Sequence, residues 1–396
     1  MPLFVRISAA RLIAGIALAI LAAAGPAAAS DANPPPVAAR KPVTSTHHGV
    51  RLSDDYAWMR TAKPEAILTR PELLEAPIRR HLDAEKRYAE RMLAPNAALV
   101  AKMVQEMRGR TSAEGDVVPE ANGPYAYSSR FAPGAERKVH VRTPRNGGPE
   151  EILLDENVLA KGRRNFTLDE TSVSVDHKLF AYTFDIDGSE RQTLKVRDLA
   201  TGRDLADTIA DVRGAPVWSN DGRWLFYVRR DPTKWARTIW RHRLGTPVAK
   251  DVRVYEEKEE GFSVGITTSL SNRFMAVELS DFSTAQMGYV DLDAPETPLR
   301  LMTPRIAGVK FAISDLGDRL IVASNADGAK TWKIGARALA APAEAPLETL
   351  IPARADRLIQ SVVVYKDHLV RLEPWVAWEV GILAGVTHID DGHGLQ

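Results

Sequence analysis

The residues Gly261-Phe262-Ser263-Val264-Gly265 fit G-x-S-x-G, the pattern in which a sharp strand-to-helix turn presents a serine oxygen to a scissile carbonyl. The chemistry would be acyl transfer, with a histidine as base and an oxyanion hole. A serine used that way is followed by a helix, whereas Ile266-Thr267-Thr268-Ser269 is largely β-branched and leads into a polar turn, so the segment reads as a strand. His388-Ile389-Asp390-Asp391-Gly392-His393 offers imidazoles and carboxylates that could ligate a metal or complete a triad. A glycine-containing terminal hexapeptide lacks the rigid support that ligands need, so it reads as an unstructured, solvated terminus. His47-His48 reads as a surface turn. The expectation is that no residue here is catalytic, cofactor-binding or metal-binding, and that no cofactor is required.

From Trp224 to Arg243, the basic residues Arg229, Arg230, Lys234, Arg237, Arg241 and Arg243 interleave with Trp235 and Trp240, as they do on surfaces that stack nucleic-acid bases. A sheet with aromatics on its buried face and charges on its edge produces the same mixture. The whole chain of 396 residues carries 52 basic and 51 acidic side chains, a formal net charge of +1, and lacks the basic excess of a nucleic-acid partner. No glycine-rich phosphate loop follows an expected strand. Asn165-Phe166-Thr167 is a glycosylation sequon.

These segments have to be positioned by a fold, and a repeated phrase points to one. Serine, a polar turn and an apolar strand recur at Ser174, Ser219, Ser271 and Ser314, followed by Leu179-Phe180-Ala181-Tyr182, Trp224-Leu225-Phe226-Tyr227, Phe274-Met275-Ala276-Val277 and Leu320-Ile321-Val322. The spacing of roughly 40 to 50 residues is that of four-stranded β-propeller blades, which become stable only when stacked on neighbours. Strand phrases near Tyr125, Phe180, Leu225, Phe274, Leu320 and Leu369 give about six blades over residues 111–373. Before them, residues 41–110 form an extension with two helices: Leu74, Ile78 and Leu82 step by four, Pro95 stops the first helix, and Leu99, Met103 and Met107 repeat in the second, which Asn96 can cap and Gly109 ends. Their apolar face needs a partner surface.

At the N-terminus, Arg6 and Arg11 precede an apolar run from Leu12 to Ala24, and Ala27-Ala28-Ala29 supplies small residues for cleavage. Residues 1–29 therefore read as a secretory signal peptide, the run being shorter than the roughly 20 apolar residues of a bilayer span. Residues 30–40, with Pro34-Pro35-Pro36, read as an extended linker. The expected location is periplasmic or secreted, with no membrane contact after signal cleavage. The sequence contains no cysteine, which excludes a disulfide framework and a cysteine-ligated metal.

The segment Thr46-His47-His48-Gly49-Val50-Arg51-Leu52-Ser53-Asp54-Asp55-Tyr56-Ala57-Trp58-Met59-Arg60 resembles the N-terminal signature of the prolyl oligopeptidase family of serine peptidases. Glu106-Met107-Arg108-Gly109-Arg110, Tyr125 to Phe131, Ile152 to Asn157 and Lys195 to Leu199 resemble the propeller half of its oligopeptidase B branch. The likeness runs from about Lys41 to about Glu373. It implies a mainly β fold, a seven-bladed β-propeller that restricts access, and a C-terminal α/β-hydrolase domain carrying the Ser, Asp and His, placed after about residue 400. None of that triad can be carried onto this sequence, so the expectation is an incomplete propeller without the hydrolase domain.

After Arg371 lysine and arginine vanish, and residues 374–396, starting Pro374-Trp375-Val376-Ala377-Trp378, no longer resemble the family. A reading-frame shift would leave such a tail, and an unusual final strand is the alternative. The expected function is the non-catalytic, substrate-gating portion of an exported oligopeptidase B-like endopeptidase that hydrolyses short peptides after basic residues. The chain alone is expected to be inactive, its partners being short peptides and a contacting α/β-hydrolase domain. The rival is a stand-alone propeller that binds peptides or proteins.

Overall fold

The computed structural model describes residues 34–110, 118–231, 236–366, 368–373 and 388–390. The expected signal peptide lies outside them, as do residues 30–33 of the expected linker and residues 374–387 and 391–396 of the tail. The chain divides into two compact units, residues 1–112 and 113–396.

In the first unit, β1 (Val43–His47) pairs with β2 (Val50–Asp54). The two linking residues, His48 and Gly49, have φ of 49° and 80°, the left-handed pair that suits the twist of a two-residue hairpin. The signature that follows is a folded corner. Asp54 Oδ1 accepts from the Tyr56 amide at 2.9 Å and Asp54 Oδ2 pairs with Arg60 at 3.1 Å. Trp58 Nε1 donates to the Ala39 carbonyl at 2.7 Å, with Lys41 Nζ 4.8 Å from its ring centre. Helices α1 (Pro64–Thr69), α2 (Ala76–Leu93) and α3 (Ala97–Arg110) follow, and a 3-10 turn at Ala94–Asn96 separates the last two. Pro95 falls inside that turn, and α3 runs past Gly109. Of the apolar residues on α2 and α3 only Ile78 is buried; Leu99, Val100, Met103 and Val104 are exposed.

The second unit is built of antiparallel sheets. The first contains β3 (Glu120–Asn122), β4 (Tyr125–Phe131), β5 (Lys138–Pro144) and β6 (Glu151–Asp155), followed by the short α4 (Glu156–Ala160). Next come β7 (Thr167–Val173), β8 (Leu179–Asp185), β9 (Gln192–Asp198), β10 (Arg203–Trp218), β11 (Trp224–Arg230), β12 (Ala236–Arg243) and β13 (Val252–Glu256), hydrogen-bonded in sequence order as one seven-stranded sheet. This sheet is two blades sharing a strand. The first half of β10 pairs with β9 and its second half with β11, with register shifts on both sides of Val212. Asp211 and Gly214 there have φ of 60° and 74°, the bulge geometry that redirects a strand.

The fourth blade is β14 (Ser263–Thr268), β15 (Phe274–Ser280), β16 (Ala285–Asp291) and β17 (Arg300–Leu301), and the fifth is β18 (Phe311–Leu316), β19 (Arg319–Ser324), β20 (Lys333–Ala338) and β21 (Glu348–Ile351). A three-stranded sheet of β22 (Ser361–Val364), β23 (Leu369–Leu372) and β24 (His388–Asp390) follows. Residues 388–390, read from sequence as unstructured, thus extend beside β23, Val370 opposite Ile389. The seventh blade that the resemblance implies is not among the described residues.

Apolar runs such as Leu225-Phe226-Tyr227-Val228 and Leu320-Ile321-Val322-Ala323 are buried along nearly their whole length. Second strands lie between neighbouring sheets and bury both faces, so they read as continuous rather than alternating apolar runs. The core is accordingly a series of clusters between successive blades. Leu154 meets Phe180 and Tyr182, Trp218 meets Leu194 and Val196, Phe226 meets Met275 and Leu279, Tyr289 meets Phe311 and Leu320, and Ile334 meets Val364.

The recurring serine has a physical role. Ser174 Oγ donates to Asp176 Oδ1 at 2.7 Å and accepts from the Leu179 amide at 2.9 Å; Ser219 repeats this with Asp221 at 2.6 Å and the Trp224 amide at 3.0 Å. In the third copy the capping residue is Ser269, which accepts from the Phe274 amide at 3.2 Å, while Ser271 takes the place of the aspartate. Ser271 is therefore not the equivalent of Ser174 and Ser219. The fourth copy has no such turn: Leu316 pairs directly with Arg319, so Ser314 lies inside β18.

Candidate functional site

The first strands of successive blades bring their ends to one cavity of about 380 Å³. Asn122 comes from β3, Thr171 and Ser172 from β7, Trp218 from the end of β10, and Thr268 from β14; the turns that follow add His177, Asn220 and Asn272. Asn220 ties two of these turns together, its side-chain amide donating to the Asn272 carbonyl at 3.1 Å and to Asp293 Oδ1 at 2.8 Å.

At one wall, the third residue after the turn serine is left-handed in each copy: His177 with φ 59°, Gly222 with φ 66° and Asn272 with φ 59°. Glycine and asparagine suit that conformation, whereas other residues there carry about 1–2 kcal/mol of strain. The imidazole is held by the first blade. Its Nδ1 lies 2.7 Å from Tyr127 Oη, and its ring centre lies 6.0 Å from that of Tyr127 and 5.7 Å from that of Tyr125. Arg142, buried, donates to the His177 carbonyl at 2.5 Å and to Glu151 Oε2 at 2.7 Å, with its guanidinium 3.9 Å from the centre of the Tyr125 ring. Gly123 lets the imidazole in, because a Cβ there would lie 2.3 Å from His177 Nε2. Burial, and then Arg142, holds the His177 pKa below the ordinary histidine value, and burial raises that of the Tyr127 hydroxyl. The cavity thus presents amides, hydroxyls and a neutral-leaning imidazole, groups that hydrogen-bond a peptide backbone. Of the serines that line it, Ser174 has its hydroxyl committed to its own turn.

The residues weighed from sequence fall elsewhere. Ser263 opens β14, donates to the Ser280 carbonyl at 3.4 Å and is followed by strand rather than helix. His47 and His48 are exposed at the first hairpin. Asp391 and His393 lie outside the described residues, and among the described residues no group of three or more His, Asp or Glu is arranged to hold a metal. In the basic-aromatic stretch, Arg241 and Arg243 lie over Trp224 at 4.9 and 5.7 Å, and Arg229 lies over Trp240 at 5.5 Å, so these side chains pack on one another within the blade. Sequence reasoning missed the His177 cluster; the available signal was a histidine standing where the other turns have glycine or asparagine.

Residues 35–374 match the model of the prolyl oligopeptidase N-terminal β-propeller domain. Dipeptidyl aminopeptidase BI of Pseudoxanthomonas mexicana is 32% identical over 327 residues, 78% of this chain and 44% of that protein. Protease 2 of Moraxella lacunata is 27% identical over 307 residues, 76% of this chain and 43% of that protein. Among solved structures, oligopeptidase B from Leishmania major superposes with a TM-score of 0.78 at 25% identity, covering 87% of this chain and 50% of that one. The chain therefore spans less than half the length of these curated relatives. With its antiparallel blades and the match across nearly all described residues, the chain belongs to the prolyl oligopeptidase family and comprises that family's N-terminal β-propeller domain.

Proposed function

We propose that the chain is the substrate-gating portion of an exported, oligopeptidase B-like serine endopeptidase that cleaves short peptides after basic residues. The observation that carries this reading is a propeller whose first strands frame a peptide-sized polar cavity, in a chain matching the propeller portion of peptidases. Every strand pairing among the described residues is antiparallel, so they include no parallel-stranded hydrolase sheet. The serine that attacks the scissile carbonyl, its histidine base and the oxyanion hole are then supplied by an α/β-hydrolase portion. The exposed Leu99, Val100, Met103 and Val104 on α3 suit contact with that portion. Export rests on Arg6, Arg11, the apolar run Leu12 to Ala24 and the small residues Ala27 to Ala29.

The test is a fusion of this chain to the hydrolase portion of the Pseudoxanthomonas relative. It is expected to hydrolyse a short fluorogenic peptide with arginine before the scissile bond, and to cleave an unfolded protein more slowly by at least about tenfold, roughly 1.4 kcal/mol in barrier. Equal rates on both substrates would remove the gating role.

A further inference from the structure

We propose that His177 is a pH-sensitive latch between the first two blades, closed when its ring is neutral and released when the ring gains a proton. The seam it spans joins the β7–β8 turn to three strands of the first blade and forms one wall of the cavity. Two of its polar connections converge on this turn, where Tyr127 Oη meets the imidazole Nδ1 and Arg142 holds the backbone carbonyl of the same residue; elsewhere on the seam Arg197 donates to the Leu153 carbonyl.

The Tyr127 hydroxyl and the Arg142 guanidinium decide the behaviour. Beside Arg142, a donor with no acceptor to offer, the hydroxyl oxygen accepts, and a neutral ring gives the hydroxyl proton an acceptor at Nδ1. Adding a proton to the ring reverses that hydrogen bond, leaves the hydroxyl proton without its acceptor and places a second cation next to Arg142. The charged and titratable groups around the ring from the first blade are Glu120 on β3, Tyr125 and Tyr127 on β4, and Arg142 on β5 with its partner Glu151 on β6; Asp176 flanks it on its own turn. Glu151 is engaged by Arg142 and Asp176 by Ser174, and Glu120 is exposed to solvent, where water screens its charge. The depressed pKa of the ring has the sign this geometry requires. The stabilisation is present above the ordinary histidine value and is lost as pH falls through the folded one.

The latch is a property of the blade seam, and only its consequence, admission of larger peptides in acid, rests on the gating reading. Hydrogen exchange on the whole chain, compared near pH 7.5 and near pH 5.5 after correction for intrinsic exchange rates, tests it without any activity. Protection of Tyr125–Phe131 and Val173–Leu179 is expected to fall about tenfold at the lower pH, while Leu320–Ser324 in the fifth blade is unchanged. His177→Asn, which keeps a residue suited to the left-handed turn, is expected to abolish the pH dependence. Tyr127→Phe, which keeps the ring but not the hydroxyl, is expected to lower protection at neutral pH and shrink the acid-induced fall; it carries the test should the first variant not fold. An unaltered acid-induced fall in the variant that folds, or no fall in the native chain, would overturn the latch.

Discussion

Replacing His242 by alanine is expected to cost the propeller about 3–5 kcal/mol, the loss typical of removing one partner from a buried charged cluster. His242 is fully buried on β12. Its Nδ1 lies 2.6 Å from Asp251 Oδ1 and its Nε2 lies 2.9 Å from Asp207 Oδ1. Both ring nitrogens thus face carboxylate oxygens, and the ring joins β10 to the segment that opens β13. Tyr227 Oη donates to Asp251 Oδ2 at 2.7 Å and the Gly245 amide donates to Asp207 Oδ1 at 2.6 Å. Alanine leaves two carboxylates, their side chains 5% and 1% exposed, facing a cavity without the hydrogen-bonding ring between them. Urea unfolding at neutral pH should show the loss, and Asp207→Asn added to His242→Ala should restore part of it by removing one charge. A midpoint for His242→Ala within about 1 kcal/mol of the native chain would mean that the cluster contributes little.

Arg305→Met is expected to cost about 2–4 kcal/mol at neutral pH, somewhat less than a fully buried pair because Arg305 is partly exposed. Its guanidinium meets Glu257 at 2.6 Å, Glu259 at 2.6 Å and Gln286 at 3.2 Å, and lies 4.3 Å from the centre of the Phe262 ring. It thus joins the strand end after β13 to β16. Burial raises the Glu257 pKa, but Arg305 and the Glu259 amide outweigh it and hold the carboxyl below its ordinary value. In the native chain this stabilisation is present above the ordinary carboxylate value and is lost as pH falls through the depressed one. Without Arg305, the burial that raises the Glu257 pKa loses its main counterweight, so protonation relieves the variant. The stability gap between native chain and variant should therefore narrow as pH falls from neutral through the ordinary carboxylate value to the depressed one. A gap constant across that range would show that the cost is lost packing alone.

Both clusters illustrate what the sequence could and could not convey. The blade repeat was legible because a turn serine, an aspartate two residues on and a continuous apolar strand are local features, set by one hydrogen-bonded turn and one doubly buried strand. Even there the phrase misled where chemistry was substituted: Ser271 does the work of an aspartate, and a tight hairpin replaces the serine turn beside Ser314. The Ser263 pattern could be weighed locally as well, since a β-branched continuation opposes a helix. His242, Arg305 and His177 could not be read. Each meets partners on other strands, from Asp207 to Gln286 to Tyr127, and the pairing depends on which blade faces which. The Asp54-Asp55-Tyr56-Ala57-Trp58 signature marked the family, yet its side chains build a structural corner around Ala39 and Lys41.

The central claim is that this propeller admits peptides but does not cut them. Its most direct test is the purified chain incubated with a fluorogenic peptide bearing arginine or lysine before the scissile bond. The account predicts no turnover above buffer. Turnover by the pure chain that disappears in Ser263→Ala would contradict it, making Ser263 a nucleophile despite its place at the start of β14.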